Sequence, residues 1–346
     1  LAEAGYEVHY ILPYEDELNS DFLTFHPYKP GTGRGDRFLH HGFRVLRQLD
    51  HIGRPGIVHF HDPDLMLLVP TLKKRGHNVI FDVHEEYVKQ MSHRHWVPRS
   101  LRSRMGQVYQ WLEDQFLPQV DAIIAATPAI ARCYPDYHTV LVQNFPRQQY
   151  QHDFDYESYR ERQAEVLYYG VINEVRGVEV ILDAIHKLNE QGNKVDFRLA
   201  GAFMPESYQQ KLEATEGWQY TKFLGYLDQA GIYRELKRAR VAAVVIDAVP
   251  NHMEAQPNKL FEYMSAGLPI IYSNFPHWQS LIDGCGMPVE PENPEAIGEA
   301  IKYLLDHPQE AFEMGAQGRR AVHEYYNWGN EEKSLLMLYE QLNQTR

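Results

Sequence analysis

Short apolar stretches alternate along the chain with longer segments whose apolar residues recur every three or four positions. The short stretches carry the residue types of buried strands, and the longer ones carry the period of amphipathic helices. In the first half the pattern predicts strands over residues 7–12, 56–60, 78–83, 122–125 and 139–142. In the second half it predicts them over 165–169, 195–200, 221–224, 242–246, 269–272 and 287–289. Strands separated by helices are the signature of βαβ units and parallel sheets, so the fold class is α/β. Two such sets predict two Rossmann-like domains, residues 1–145 and 165–328. The polar, Tyr-rich stretch 146–164 has no apolar period and is expected to link them. Over 329–346, Leu335, Leu338, Tyr339 and Leu342 fall at helical spacing and predict a last amphipathic helix. Leu1-Ala-Glu-Ala-Gly5 reads as a helix end running into a strand, so a preceding strand is expected upstream.

A length of 346 residues exceeds what one core usually fills, which agrees with two domains. The apolar runs at 241–246 and 122–126 fall far short of the roughly 20 residues that span a bilayer. Cys133 and Cys285 are the only cysteines, and no secretory pattern is visible, which points to a reducing, cytoplasmic setting. The net charge of -13 is uneven: residues 1–150 carry 16 basic against 17 acidic side chains, the remainder 18 against 30. That balance excludes a general nucleic-acid binder. Residues 87–112 are the local exception, with Lys89, Arg94, Arg99, Arg102 and Arg104 beside Trp96 and Trp111 and no acid. Such a patch suits an anionic membrane surface at 89–111, or a solvated helix whose tryptophans enter the core. His93 and His95 there are alternatively contacts for an anionic acceptor.

The most informative segment is Glu254-Ala-Gln-Pro-Asn-Lys-Leu-Phe-Glu262-Tyr-Met-Ser-Ala-Gly267-Leu-Pro269. Pro257 suits a helix start and Gly267-Leu-Pro269 a helix stop, so a short helix is predicted between two strands. Were both glutamates on it, they would stand about 12 Å apart and about 80° out of phase, facing different atoms. With Glu254 in the loop before the helix, the two would instead grip separate ends of one extended ligand. The amides of Asn258, Lys259 and Leu260 would address a diphosphate between them. A second segment, Val166-Leu-Tyr-Tyr-Gly170-Val-Ile-Asn-Glu-Val-Arg176-Gly177, runs from a strand through a glycine into a helix. Gly170 there permits a ligand to approach the backbone.

These two segments resemble those of the retaining GT-B glycosyltransferases called family 4, in particular members that build bacterial surface polysaccharides. The resemblance implies two Rossmann-like domains facing across a cleft, with a nucleoside diphosphate sugar held mainly by residues 165–325. It implies that Glu254 touches the donor sugar and Glu262 the ribose. The family places a basic residue after the first glycine and a Lys before the second, both clamping the diphosphate. Here they are Val171 and Arg176, so Arg176 becomes the main clamp and Lys259 the substitute for the missing cation. Phe223-Leu-Gly225-Tyr226-Leu227 resembles the turn whose backbone reads the nucleobase, and Leu199-Ala-Gly201 is a similar strand-end glycine.

In the first half, His59-Phe-His61-Asp62-Pro63-Asp64 and Asp82-Val-His84-Glu85-Glu86-Tyr87 each follow a strand. Alternation puts His59 with His61 and Asp82 with His84 on shared faces. By resemblance His84 approaches the donor sugar, while His61, Asp62, Glu85 and Glu86 are acceptor candidates. A metal set of His59, His61, Asp62 and Asp64 is disfavoured, because later strand ends lack further ligands. His84-Glu-Glu-Tyr-Val does not fit the metalloprotease pattern, and Gly31-Thr-Gly33-Arg-Gly35 reads as a loop without phosphate-binding spacing.

The expected reaction is transfer of a sugar to an acceptor hydroxyl with retained anomeric configuration, the acceptor being a sugar or lipid-linked and met at the inner face of the membrane. No cofactor or metal is expected, since cations and a helix start would hold the leaving diphosphate. The alternatives are a GT-B nucleotide-sugar epimerase and a catalytically silent binding protein.

Overall fold

The computed structural model describes residues 1–14, 20–29, 34–87, 99–147 and 154–344. They form two compact units, one of 1–143 with 331–346 and one of 144–330.

In the first unit, β1 (Val8–Pro13) and β2 (Leu23–Tyr28) make a parallel pair. A separate four-stranded parallel sheet runs in the order β3 (Ile57–Phe60), β4 (Asn78–Val83), β5 (Ala122–Ala125), β6 (Thr139–Leu141). Central strands β4 and β5 are covered on both faces, which is why they read as continuous apolar runs. Phe60, Phe81, Ile123 and Leu117 pack in one core with Tyr109 of the helix Arg99–Phe116. Each such side chain contributes about 1.5–3 kcal/mol through burial. β2 is absent from the predicted strands because His26 and Pro27 break its apolar alternation; Pro27 is tolerated in a pair with a free edge. Residues 331–344 belong to this unit through Tyr339, whose ring meets Tyr6 edge-on at 5.5 Å, and through Asn78 donating to the Leu342 carbonyl at 2.7 Å.

The second unit carries six parallel strands in the order β12 (Gly286–Val289), β11 (Ile270–Ser273), β10 (Val241–Val244), β7 (Glu165–Tyr169), β8 (Asp196–Ala200), β9 (Thr221–Phe223). The chain enters at the centre and builds outward in both directions, the order of a doubly wound fold. Ile181, Leu182 and Ile185 of the helix Val178–Glu190 cover one face; Phe261 and Met264 of the helix Asn258–Ser265 cover the other. The stretch expected to be linker ends early, since Tyr156–Arg160 is helical and Tyr159 is fully buried in this core. Its phenol donates to the Arg240 carbonyl at 2.9 Å, which satisfies the one polar atom of a ring that is otherwise apolar.

Candidate active site

The strand order of the second unit reverses between β7 and β10, and ligands of doubly wound sheets lie beyond the carboxyl ends at such a point. There β7 runs into Gly170, whose φ of 128° only glycine adopts readily. A Cβ on it would stand 2.8 Å from the Lys259 Nζ, so the absent side chain is the room the ammonium uses. Seven residues on, Gly177 opens the helix Val178–Glu190 with a φ of 65°; a Cβ there would lie 1.9 Å from the Val245 carbonyl oxygen. That contact presses the helix start, with Arg176 just before it, onto the end of β10.

Lys259 sits with Nζ 4.3 Å from the centre of the Tyr168 ring. Its pKa is pushed down to about 7, first by burial and then by the charge of Arg176, with Glu262 opposing. Two cations are thus held close enough to repel, and among the described residues neither has a carboxylate partner within ion-pair distance. Such a pair is stabilised by a bound anion.

The helix Asn258–Ser265 starts after Pro257 and adds its positive end to this region. One sequence expectation is corrected here: the Leu260 amide donates to the Pro257 carbonyl at 3.1 Å, leaving Asn258 and Lys259 as the leading amides. Glu262 is half-buried in the second turn and accepts a hydrogen bond from the Tyr169 hydroxyl. Glu254 is exposed and ends a separate short helix, Pro250–Met253, so the two glutamates are not on one helix. Trp278 pins the intervening loop by donating from Nε1 to the Ala255 carbonyl at 2.7 Å. The neighbouring strand ends are tied together as well. Gly170 donates to the Ala200 carbonyl at 3.0 Å and Gly201 to the Gly225 carbonyl at 2.8 Å. Tyr226 projects 84% exposed beside Leu227, and Asp228 caps the next helix through the Gly231 amide at 2.7 Å. Tyr169 was not among the sequence candidates; its signal is that it precedes Gly170 at a strand end.

In the first unit the adjacent ends of β3 and β4 bring His59, His61, Asp82 and His84 together. His59 Nε2 lies 3.0 Å and His61 Nδ1 3.1 Å from Asp82 Oδ2, and His84 Nε2 lies 3.5 Å from Asp82 Oδ1. Burial alone would raise the Asp82 pKa, but hydrogen bonds from the three imidazoles outweigh it and hold the carboxyl well below the usual carboxylate range. The hydrogen bond to Asp82 raises the His84 pKa in return. The hub of this cluster is Asp82, which sequence reasoning placed on the face of His84 without making it a site residue. The disfavoured metal set is also redrawn: the structure groups His59 and His61 with Asp82, not with Asp62 and Asp64. Asp62 instead precedes the turn Pro63–Leu68, and Glu85 and Glu86 continue the loop after His84.

Of the basic patch, residues 88–98 lie outside the described residues, as do Gly31 and Gly33; Gly35 falls in the helix Arg34–Ile52 and not in a loop. On the helix Arg99–Phe116, Val108 and Trp111 are 58% and 56% exposed, so Trp111 is not a core residue. No described helix is long and apolar enough to cross a membrane.

A doubly wound sheet with convergent cations at its switch point, joined to a second unit of parallel strands, defines the GT-B class of two Rossmann-like domains. The fold is similar to that of sucrose-phosphate synthase from Thermosynechococcus elongatus, with a TM-score of 0.75 and 19% identity over 100% of this chain and 91% of that one. Sequence models of two families match, "Glycosyltransferase Family 4" over residues 1–141 and "Glycosyl transferases group 1" over 163–307. Both units thus match glycosyltransferase models, and the chain is a GT-B glycosyltransferase similar to family 4. It is 27% identical to the D-rhamnosyltransferase WbpZ of Pseudomonas aeruginosa over 291 residues, 79% of this chain and 70% of the relative. It is 22% identical to the O-antigen chain mannosyltransferase C of Escherichia coli over 307 residues, 84% of this chain and 76% of the relative.

Proposed function

We propose that the protein transfers a sugar from a nucleoside diphosphate sugar to an acceptor hydroxyl in polysaccharide or glycolipid synthesis, with retained anomeric configuration. The observation that carries this reading is that the charge of Arg176 bears on buried Lys259 while, among the described residues, neither has a carboxylate within ion-pair distance, beside the start of the helix Asn258–Ser265. In the proposed reaction the carbon–oxygen bond from the anomeric carbon to the diphosphate breaks, and negative charge grows on the leaving oxygens. Arg176, Lys259 and the leading amides of Asn258 and Lys259 counter that charge, so no metal ion is needed at the diphosphate. Glu262, oriented by Tyr169, takes the ribose; Glu254 takes the sugar hydroxyls; the backbone of Gly170, Gly201, Gly225, Tyr226 and Leu227 lines the nucleotide side.

His84 is read as a further sugar contact, and His61, Asp62, Glu85 and Glu86 as acceptor contacts. Support for a polysaccharide acceptor comes from the named role of the Escherichia coli relative in an O-antigen chain. Exposed Val108 and Trp111 support a surface that rests on an anionic membrane at the cytoplasmic face.

The test is incubation with UDP- and GDP-linked sugars, with and without a mixed pool of sugar acceptors, read by proton NMR of the anomeric signals. Acceptor-dependent release of nucleoside diphosphate with an unchanged anomeric configuration is expected. A changed sugar without acceptor would replace the reading with an epimerase, and no release from any donor would leave a binding protein.

A further inference from the structure

We propose that His59, His61 and Asp82, with His84 beside them, form a binding site for a divalent zinc-class ion in the first unit. His61 Nδ1 stands 3.1 Å from Asp82 Oδ2 and 3.0 Å from His84 Nε2. A ring nitrogen carries one proton, and it points in one direction. Aimed at Asp82, it leaves His84 Nε2 either with a lone pair beside the carboxylate or with an N–H set against another N–H. Aimed at His84, it turns away from Asp82. No placement of protons satisfies every close contact in the cluster. A cation between His59, His61 and Asp82 does, because His61 Nδ1 then turns a lone pair to the ion and His84 Nε2 keeps its proton for Asp82 Oδ1.

The spacing agrees with that reading. Zinc bonds of about 2.0–2.1 Å in a tetrahedral set put neighbouring donor atoms about 3.3 Å apart. Here His59 Nε2 and His61 Nδ1 stand 3.0 and 3.1 Å from Asp82 Oδ2. His59, His61 and Asp82 each offer one ligand atom, all within 4.8 Å of one another. The surroundings orient the ligands. Tyr339, buried, pairs with His59 Nδ1 at 2.8 Å, which turns Nε2 toward Asp82, and the Tyr87 hydroxyl donates to the His61 carbonyl at 3.2 Å. A partner on the far nitrogen of a ligating imidazole is the usual support of a metal site. Two imidazoles with one carboxylate favour zinc over magnesium or calcium, which prefer oxygen, and leave a fourth position open. Entry is open, since the side chains of His61 and His84 are 53% and 38% exposed.

The site itself does not depend on the glycosyl-transfer reading. One consequence does: an ion held on His61 and Asp82 sits against His84 and blocks the approach of a donor sugar to it, so zinc inhibits transfer. The experiment uses the protein without an affinity tag, stripped by chelator, and titrated with zinc chloride by calorimetry and with cobalt chloride by visible absorption. One ion per chain is expected, with the intense ligand-field bands of a four-coordinate cobalt site. His61→Ala and Asp82→Asn should each weaken zinc at least tenfold, with far-UV circular dichroism unchanged, while His138→Ala should not. Absence of saturable one-to-one binding, or wild-type affinity in both cluster variants, would overturn the site. Binding without inhibition of transfer would uphold the site and remove His84 from the donor contacts.

Discussion

Replacing Lys259 with methionine probes the diphosphate site most sharply, because the wild-type ammonium is held in an environment that opposes its charge. With its pKa near 7, the side chain is about half protonated at pH 7 and about one tenth at pH 8 when nothing is bound. A diphosphate restores the charged form, so binding takes up a proton, about 0.9 of one at pH 8. The apparent Kd should therefore rise about fivefold from pH 7 to 8 and about ninefold from pH 8 to 9. Below pH 7 the cation is present in both states, and the slope disappears. Lys259→Met removes a charge-assisted contact of about 1.5–3 kcal/mol, which is about a tenfold to hundredfold loss of affinity at pH 6. The assay is isothermal titration with UDP-glucose and GDP-mannose in buffers of different ionisation enthalpy, since a sugar diphosphate has no titrating proton in this range. A Kd that stays flat from pH 7 to 9 in the wild type, or a slope that persists in Lys259→Met, would refute the reasoning. Val171→Arg in the Lys259→Met background supplies a cation at an exposed position after Gly170 and should recover part of the lost affinity without restoring the slope.

Glu262→Ala should weaken nucleotide binding while Glu254→Ala chiefly lowers kcat; equal effects in calorimetry and steady-state kinetics would cancel the separate roles. Tyr169→Phe removes the hydroxyl that orients Glu262 and should cost about 1 kcal/mol of nucleotide affinity, read by the same titration. Gly177→Ala forces a Cβ to 1.9 Å from the Val245 carbonyl oxygen at positive φ and should cost at least about 2 kcal/mol of stability, seen as a lowered Tm. Glu113, buried and accepting from the Tyr134 hydroxyl at 2.9 Å, has its pKa raised to about 7 by burial. The folded state keeps a proton there that the unfolded state has lost, so this contribution is full below about pH 4.5 and fades as pH rises through 7. Glu113→Gln should accordingly stabilise the protein at pH 8, by up to about 3 kcal/mol, and change little at pH 4, as chemical denaturation at the two pH values would show.

Strands such as β4 and β7 were legible because a strand covered on both faces must be apolar throughout, and Asn78–Val83 and Glu165–Tyr169 appear in the structure with the predicted bounds. β2 was not, since its Pro27 and His26 suit an edge and leave no alternation to read. The helix of the 254–267 segment was set by Pro257 and Gly267, which act through the chain's own dihedral limits and need no partner. What the sequence could not supply was contact across elements. That Asp82 gathers three histidines depends on the pairing of β3 with β4, with Phe60 opposite Phe81. The reach of Lys259 to Gly170 likewise joins residues far apart in the chain. The Leu260 amide was misjudged because a tight first turn uses it internally, a choice fixed by backbone geometry and not by residue type.

The central claim is that the cations and helix start of the second unit hold the diphosphate of a nucleotide sugar. Its most direct test is thermal unfolding of the wild type and of Arg176→Ala with Lys259→Met against UDP, GDP and their sugars. A ligand present at a hundred times its Kd stabilises the folded state by about 2.7 kcal/mol, roughly 5 °C or more in Tm for a unit of this size. That rise is expected for at least one nucleoside diphosphate with the wild type, and its loss in the double variant. No shift with any of them, or an equal shift in the double variant, would contradict it.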